Sequence, residues 1–428
     1  MHPDLSFDQA PPIDVPFRFF LTAPLFGIAA GLLLAIVGGE MFASRWMPSA
    51  LAGTHLLVLG FMLQTMCGAL LQFLPVAAGA NVWRPRLVAG VVHPLLIVSA
   101  VLLVTAFLGQ QPGFFMAAAH GLALALGFFA IVTGIALLRT PARGATVMAL
   151  RLALVALVAT VSLGIVLATG LARGSELPLL ALTDLHAAWG LGGWALILLA
   201  GVSYYVVPMF QLTPAYPAWL ARSFPFALIA VLLGWSLLFD PQVPTRQQVA
   251  FIGGVVLSGV FALATLRLQS RRRRKVRDAT FLFFRTAMLA LLAVIVSVLV
   301  ITWLPALQGE PRGAVWIGLL AIVGVFVSAI NGMLYKIVPF LNWLHLQNLC
   351  GMRMMPPTMH QMIPEKRMLG QFRLHLAALA FLLAAVFWPL LARLAGLLFA
   401  ASCAWLGYNL LGAVGVYRDF KTRIRVAA

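Results

Sequence analysis

The sequence is poor in charge and in cysteine. Only 9% of its 428 residues are charged, 62% are hydrophobic, and the mean hydropathy is +1.01. Such a chain has too little polar surface to face water on all sides, which excludes a soluble globular fold. The three cysteines, Cys67, Cys350 and Cys403, are far apart in sequence and have no metal-ligand spacing, so we interpret them as core thiols.

Several motifs of common enzyme classes are also missing. The sequence has no Walker loop, no nucleophile elbow and no H-E-x-x-H motif. Its first residues contain Asp4, Asp8 and Asp14 against a single Arg18, the wrong charge for a signal peptide, so we expect the first apolar run to be retained as a helix. These absences favour an all-α polytopic membrane protein with about twelve transmembrane helices.

Twelve apolar runs, called spans 1 to 12 here, are separated by turn and charge signals. Their predicted limits are 19–39, 51–75, 87–108, 114–138, 151–172, 183–208, 223–239, 248–268, 285–306, 314–340, 373–392 and 394–416. Together they form a single predicted membrane domain, 1–428. The longest polar stretch, 341–372, is predicted to be a cytoplasmic loop.

The distribution of Lys and Arg gives an orientation. Of the 29 basic residues, 24 fall before span 1, at or after the inner ends of the even-numbered spans, or in the tail. Basic residues favour the cytoplasm, so both termini are predicted to be cytoplasmic, in a bacterial-type inner membrane. The net charge of +18 and the basic run 271–275 are therefore interpreted as topology and lipid-contact signals, with no nucleic-acid partner.

A glycine followed seven residues later by a proline marks spans 2, 6 and 10, at 68–75, 201–208 and 332–339. The glycines are 133 and 131 residues apart, whereas the same spacing at 134–141 and 234–241 lies at loop edges. Near-equal steps predict three four-helix pseudo-repeats. Their limits are 19–138, 151–268 and 285–416. We expect each glycine to admit a neighbouring helix and each proline to end its helix.

Histidine is the residue type to follow, because a neutral imidazole can be buried and can bind haem or a metal. His55 and His186 lie near the outer ends of spans 2 and 6, 13 and 15 residues before the motif glycines. His120 lies at a similar depth in span 4. We predict that these three bind a cofactor, since polar groups inside a membrane are costly and tend to be functional. The alternative is a set of hydrogen-bonded interfacial histidines.

The other histidines are interpreted more plainly. His93, His345 and His375 fall at or near the inner ends of spans 3, 10 and 11, as interfacial or loop residues. A methionine-rich stretch around His360, in 352–362, has the soft ligands that Cu(I) prefers. Methionine is also a frequent filler of apolar loops, which is the alternative there.

This arrangement resembles the catalytic subunit of the haem–copper oxidases. The resemblance rests on twelve helices in three four-helix arcs, cytoplasmic termini, and histidines towards the outer side of spans 2 and 6. The opening VPFRFFLTAPLFGIAAGLLLAI and the later THLLVLGFMLQTMCGALLQFLPV are similar to nitric oxide reductase and NnrS-type relatives. The resemblance implies that His55 is an axial haem ligand and that His186 is a copper ligand.

Other ligands of that family are absent. Span 7 has no histidine pair, span 10 has no His-x-His, and Gly190 stands where the family has a tyrosine four residues after the histidine. A complete haem–copper centre for oxygen reduction is therefore not expected.

The sequence thus predicts a haem-binding membrane protein, with or without copper, in respiratory electron transfer or nitric oxide stress. Respiratory-chain subunits or a cytochrome would be its protein partners, beside the lipid bilayer. One alternative is a transporter or permease for a small solute, a metal or haem, although many transporters carry twofold repeats. The other is a cofactor-free assembly partner of a respiratory complex.

Overall fold

The computed structural model describes residues 9–240, 244–273, 278–350 and 354–427. Within these ranges the chain contains helices and no strand, and twelve helices are long and apolar enough to cross a membrane. They are α1 Asp14–Phe42, α2 Pro48–Ala78, α3 Pro85–Gly109, α4 Pro112–Arg139, α5 Ala145–Arg173, α6 Leu179–Gln211, α7 Ala218–Leu237, α8 Gln248–Ser270, α9 Ala279–Trp303, α10 Pro311–Cys350, α11 Glu365–Phe387 and α12 Pro389–Val426. The predicted fold class, an all-α polytopic membrane protein, is confirmed.

The surfaces of these helices are suited to lipid. Large apolar side chains stay exposed on them, such as Leu237 at 84%, Leu138 at 76% and Ile36 at 75%. In water such residues would form aggregation-prone patches, whereas hydrocarbon chains cover them without penalty. The bilayer is therefore a contact partner of the chain.

Helices α10 and α11 are longer than predicted where they border the polar stretch 341–372. α10 continues for eleven residues past Pro339, to Cys350, and α11 already begins at Glu365. Much of the predicted loop 341–372 is therefore helical, and a short helix, Met359–Met362, lies between the two. The expectation that each motif proline ends its helix was wrong, since Pro75, Pro208 and Pro339 all lie inside helices. α10 continues furthest because polar residues beyond Pro339 find partners on α12, as described below.

The chain divides into two compact units. Unit 1 contains Met1–Pro11, Ala69–Lys275 and Met288–Gly313, and unit 2 contains Pro12–Gly68, Val276–Ala287 and Ala314–Ala428. α3 to α8 belong to unit 1, whereas α1, most of α2, the start of α9, and α10 to α12 belong to unit 2.

Each motif glycine lies against the helix that precedes its own. A Cβ atom added at Gly68 would lie 2.8 Å from Cβ of Phe19, and one added at Gly332 would lie 2.8 Å from Cβ of Phe283. The equivalent distance from Gly201 to Cβ of Ala149 is 2.7 Å. All three distances are too short for a real Cβ, so glycine is required for these helices to approach.

The contacting segments of the first and third copies are also alike in sequence. Residues 17–23 read FRFFLTA and residues 281–287 read FLFFRTA, an offset of 264 residues that equals the offset from Gly68 to Gly332. Packing partners at the same offset are what a pseudo-repeat predicts. The pseudo-repeats themselves stay a prediction.

Each of α2, α6 and α10 contains a π-helical segment. The segments are Leu56–Leu63, Ala188–Leu196 and Leu320–Val327, and each ends five residues before a motif glycine. π-Helix is rare, and it is frequent at functional sites. Its position on the three marked helices directs attention to the residues at its start.

Gly201→Ala should destabilise the protein by about 1–3 kcal/mol, because the added methyl would overlap Ala149. The matched control is Gly234→Ala, since Gly234 has the same spacing to a proline but no atom within 4 Å of an added Cβ. Glycine in a helix interior costs up to about 1 kcal/mol relative to alanine, so the control should be neutral or stabilising. Denaturant unfolding in detergent, followed by circular dichroism, measures both. Equal effects would contradict the packing role of Gly201.

Candidate functional site

The three candidate histidines lie on α2, α4 and α6, in different surroundings. His55 and His186 are half-buried and His120 is exposed. In each, Nδ1 forms a hydrogen bond with a backbone carbonyl oxygen. A carbonyl oxygen only accepts, so Nδ1 carries the proton and the lone pair of the neutral ring is on Nε2. This is the arrangement in which a metal-binding histidine is oriented by its second nitrogen.

His186 is oriented by a neighbouring helix. Its Nδ1 donates to the carbonyl oxygen of Thr160, on α5, at 3.0 Å. Gly164, one turn further along α5, leaves room for the ring, because an added Cβ would lie 3.1 Å from Cε1 of His186. The α5 surface therefore fixes both the direction and the depth of this imidazole.

His55 and His120 are held by their own helices. Nδ1 of His55 donates to the carbonyl oxygen of Leu51 at 2.8 Å, and Nδ1 of His120 donates to that of Met116 at 2.7 Å. Bonds to a carbonyl four residues earlier are available to any helical histidine, so they are weaker signs of function than the bond of His186. His120 also lies on the exposed surface of unit 1, which makes it the weakest of the three predicted ligands.

His55 and His186 share a position relative to the π segments. His55 directly precedes Leu56–Leu63, and His186 lies two residues before Ala188–Leu196. On α10 the residue directly before the π segment is Leu319. Two of the three marked helices therefore place a histidine where regular α-helix gives way to π-helix.

A cavity of about 120 Å³ lies in unit 2, next to the start of α2. Thr54 and Leu57 line it, together with aliphatic residues of α1 and α10 and with Arg45, but His55 does not. The cavity is far smaller than a porphyrin ring. This cavity therefore does not hold a haem at His55.

The described part of the chain gathers no group of three or more His, Cys, Asp or Glu side chains that could hold a metal ion. A copper centre with several protein ligands is therefore not formed by these residues. Haem needs only one or two axial ligands, which single histidines supply. Haem at His55, His186 and His120, and copper at His186, therefore stay predictions.

Two histidines interpreted as interfacial or loop residues are helical and packed. His375 lies ten residues inside α11 with no exposed surface, and its Nε2 is 2.8 Å from Oγ of Ser328. His345 lies within α10, and its Nδ1 is 2.9 Å from the hydroxyl of Tyr417. The interpretation was wrong because α11 begins earlier, and α10 ends later, than predicted. Gln371 and His375, spaced four residues apart, were the sequence signal that one helix face is polar.

No protein-family model matches the chain, and no curated protein matches it at a significant level. The relationship to the haem–copper oxidases is therefore carried by the resemblance alone.

Gly164→Val should destabilise the protein by about 1–3 kcal/mol, since its methyl groups would push on the His186 ring. Most of that loss should disappear in a His186→Ala background, where the ring is absent. Unfolding free energies of the two single variants and the double variant give the coupling, expected at about 1–2 kcal/mol for residues in contact. Gly253→Val is the control, because nothing lies within 4 Å of a Cβ added at Gly253. Additive effects of Gly164→Val and His186→Ala would contradict the contact between Gly164 and the His186 ring.

Proposed function

We propose that the chain is a haem-binding protein of a bacterial inner membrane, with cytoplasmic termini, related to the haem–copper oxidases. One observation carries the proposal. On α2 and α6, His55 and His186 stand directly before or two residues before a π segment, and each has Nδ1 bonded to a carbonyl oxygen, the orientation typical of a metal-binding histidine. Two histidines at comparable depth, each near a π segment, support a shared role in binding.

Energetics supports a role for these histidines. A polar side chain within a membrane helix costs free energy unless it has partners, and such residues usually serve function. Gly164 additionally shapes α5 to admit the His186 ring, which a purely interfacial histidine would not need.

A haem bound at either histidine would supply one-electron redox chemistry. The chain would contribute the imidazoles, orient them through their carbonyl bonds, and exclude water by its apolar helices. Electrons would come from a partner, a respiratory-chain subunit or a cytochrome. Without the family's full ligand set, we place the protein in electron transfer or nitric oxide stress, not in oxygen reduction. Copper at His186 is a further proposal of lower weight.

Purified protein from haem-replete cells should show a Soret band and a reduced-minus-oxidised spectrum typical of histidine-ligated haem. His55→Ala and His186→Ala should each lower the haem content, and the double variant should bring it to background. His360→Ala, at an exposed position, is the control and should retain full haem. Absence of a Soret band, or a correctly folded double variant with full haem, would disprove haem binding at these residues.

The cavity in unit 2 favours a second candidate, a permease for a small apolar solute. It is bordered by aliphatic side chains and by Arg45, whose guanidinium stacks 4.5 Å from the Trp46 ring centroid. Uptake of such a solute by proteoliposomes made with haem-free protein would favour this function over the first.

A further inference from the structure

Three helices of unit 2 place polar side chains on facing surfaces. On α10, Ser328, Asn331, Tyr335 and Asn342 follow one another at steps of three, four and seven residues, which is one face of a helix. α11 contributes Gln371 and His375, and α12 contributes Ser402 and Asn409. We call these eight residues the polar column. Each has 2% or less of its surface exposed.

Hydrogen bonds join the three helices in the middle of the column. Nδ2 of Asn409 donates to the hydroxyl of Tyr335 at 2.9 Å, and that hydroxyl donates to Oε1 of Gln371 at 3.2 Å. Nε2 of Gln371 donates to Oγ of Ser402 at 3.0 Å. Four of the eight residues are therefore joined in one chain of hydrogen bonds across α10, α11 and α12, and Ser328 and His375 form a second link between α10 and α11.

The column continues towards the end of α10. Nδ2 of Asn342 donates to the carbonyl oxygen of Ala413, on α12, at 2.9 Å. Beyond it lies the pair of His345 and Tyr417, of which His345 is half-buried. From Ser328 to His345 is 17 residues, or about 26 Å of helix. That length is close to the hydrocarbon thickness of a bilayer, about 30 Å.

The opposite end is closed by apolar residues. Ser328 directly follows the π segment Leu320–Val327, in which all residues but Ala321 are buried. Oγ of Ser328 donates to the carbonyl oxygen of Val323 at 3.2 Å. The column therefore has one end near the surface and one end inside the helix bundle.

Four atoms of the column have no hydrogen-bond partner among the described residues, and all four are acceptors. They are Oδ1 of Asn331, Asn342 and Asn409, and Nδ1 of His375. The His375 assignment follows from Ser328: its hydroxyl donates to Val323, so it accepts from Nε2–H of His375, and the lone pair is left on Nδ1.

Unpaired acceptors are expensive. A buried group without its hydrogen bond costs about 1–3 kcal/mol, so four would cost a large part of a typical net stability of about 5–15 kcal/mol. The missing component is a hydrogen-bond donor. Water supplies two donors per molecule and is the usual partner of buried polar groups that protein leaves unsatisfied.

We propose that the polar column is a water-filled half-channel that opens beside His345 and Tyr417 and ends at His375 and Ser328. Bound water donates to the four unpaired acceptors. The column contains no Asp, Glu, Lys or Arg, so it does not attract ions. Protons can move along it, because water, the hydroxyls of Tyr335 and Ser328 and the imidazole of His375 can each accept one proton while releasing another. This inference does not depend on haem binding.

Hydroxyl-radical footprinting by X-ray radiolysis, with mass spectrometry, tests the proposal on the wild-type protein in nanodiscs. Radicals form from bound water, so Tyr335 and His375 should be oxidised quickly despite their burial. Met41 is the internal control: it is also buried in unit 2, but it lines the largely apolar cavity, which should be dry. Methionine is intrinsically reactive, so slower labelling of Met41 would reflect lack of water. Labelling of Tyr335 and His375 no faster than that of Met41 would overturn the proposal.

A pair of variants locates the water. Asn331→Leu and Asn409→Leu replace the unpaired acceptors by apolar side chains of similar size, and each should lower the labelling of Tyr335 severalfold. Asn348→Leu makes the same change at an exposed position of α10 and should leave it unchanged. If the buried variants do not fold, Asn342→Leu, nearer the open end, is expected to lower labelling of Tyr335 and His375 alike. Unchanged labelling in a folded variant would contradict the proposal.

The closed end of the column, at Ser328, leads to a separate prediction. In vesicles loaded with a pH-sensitive dye, the wild-type protein should not raise proton leakage above that of protein-free vesicles, because apolar residues of the π segment block the path. Leakage that disappears in the Asn331→Leu variant would show a through-channel and overturn the half-channel.

Discussion

The structure depends on one constraint: inside a bilayer, polar groups must find their partners within the protein. Backbone groups do so by forming helices, and side chains do so by bonding to neighbouring helices. His186 bonds to a carbonyl of α5, Asn342 to a carbonyl of α12, and Lys336 pairs with Asp278 at 3.3 Å. Positions where these partners run short are where a ligand or water belongs. The polar column is found by that criterion.

Much of the fold could be predicted because a long run of apolar residues is a strong signal of a transmembrane helix. All twelve predicted spans are helices in the structure. The three motif glycines each pack closely against a neighbouring helix, as the repeated glycine-to-proline spacing predicted. Helix ends were harder. The sequence after Pro339 resembles a loop because it is polar. In the structure, the polar side chains of Asn342 and His345 form hydrogen bonds with residues of α12. Such a partner is 70 or so residues away, beyond any local pattern.

The candidate site was predictable in part. Depth along a helix follows from counting residues, so His55 and His186 could be placed at comparable positions. Their hydrogen bonds could not, because whether His186 meets Thr160 depends on how α5 and α6 pack. Gly164 carried no signal at all, since one glycine among 37 has meaning only when its neighbour is known. The π segments were equally hidden, because no composition rule distinguishes them from α-helix.

The π segments also bear on the history of the chain. A π-helical turn holds one more residue than an α-helical turn, so it typically records a one-residue insertion that was absorbed without shifting the rest of the helix. Three segments that end five residues before their glycines place that insertion at one site in each copy. If the copies descend from one ancestor, the insertion is older than the duplications, and the histidine was lost from α10, or gained on α2 and α6, afterwards.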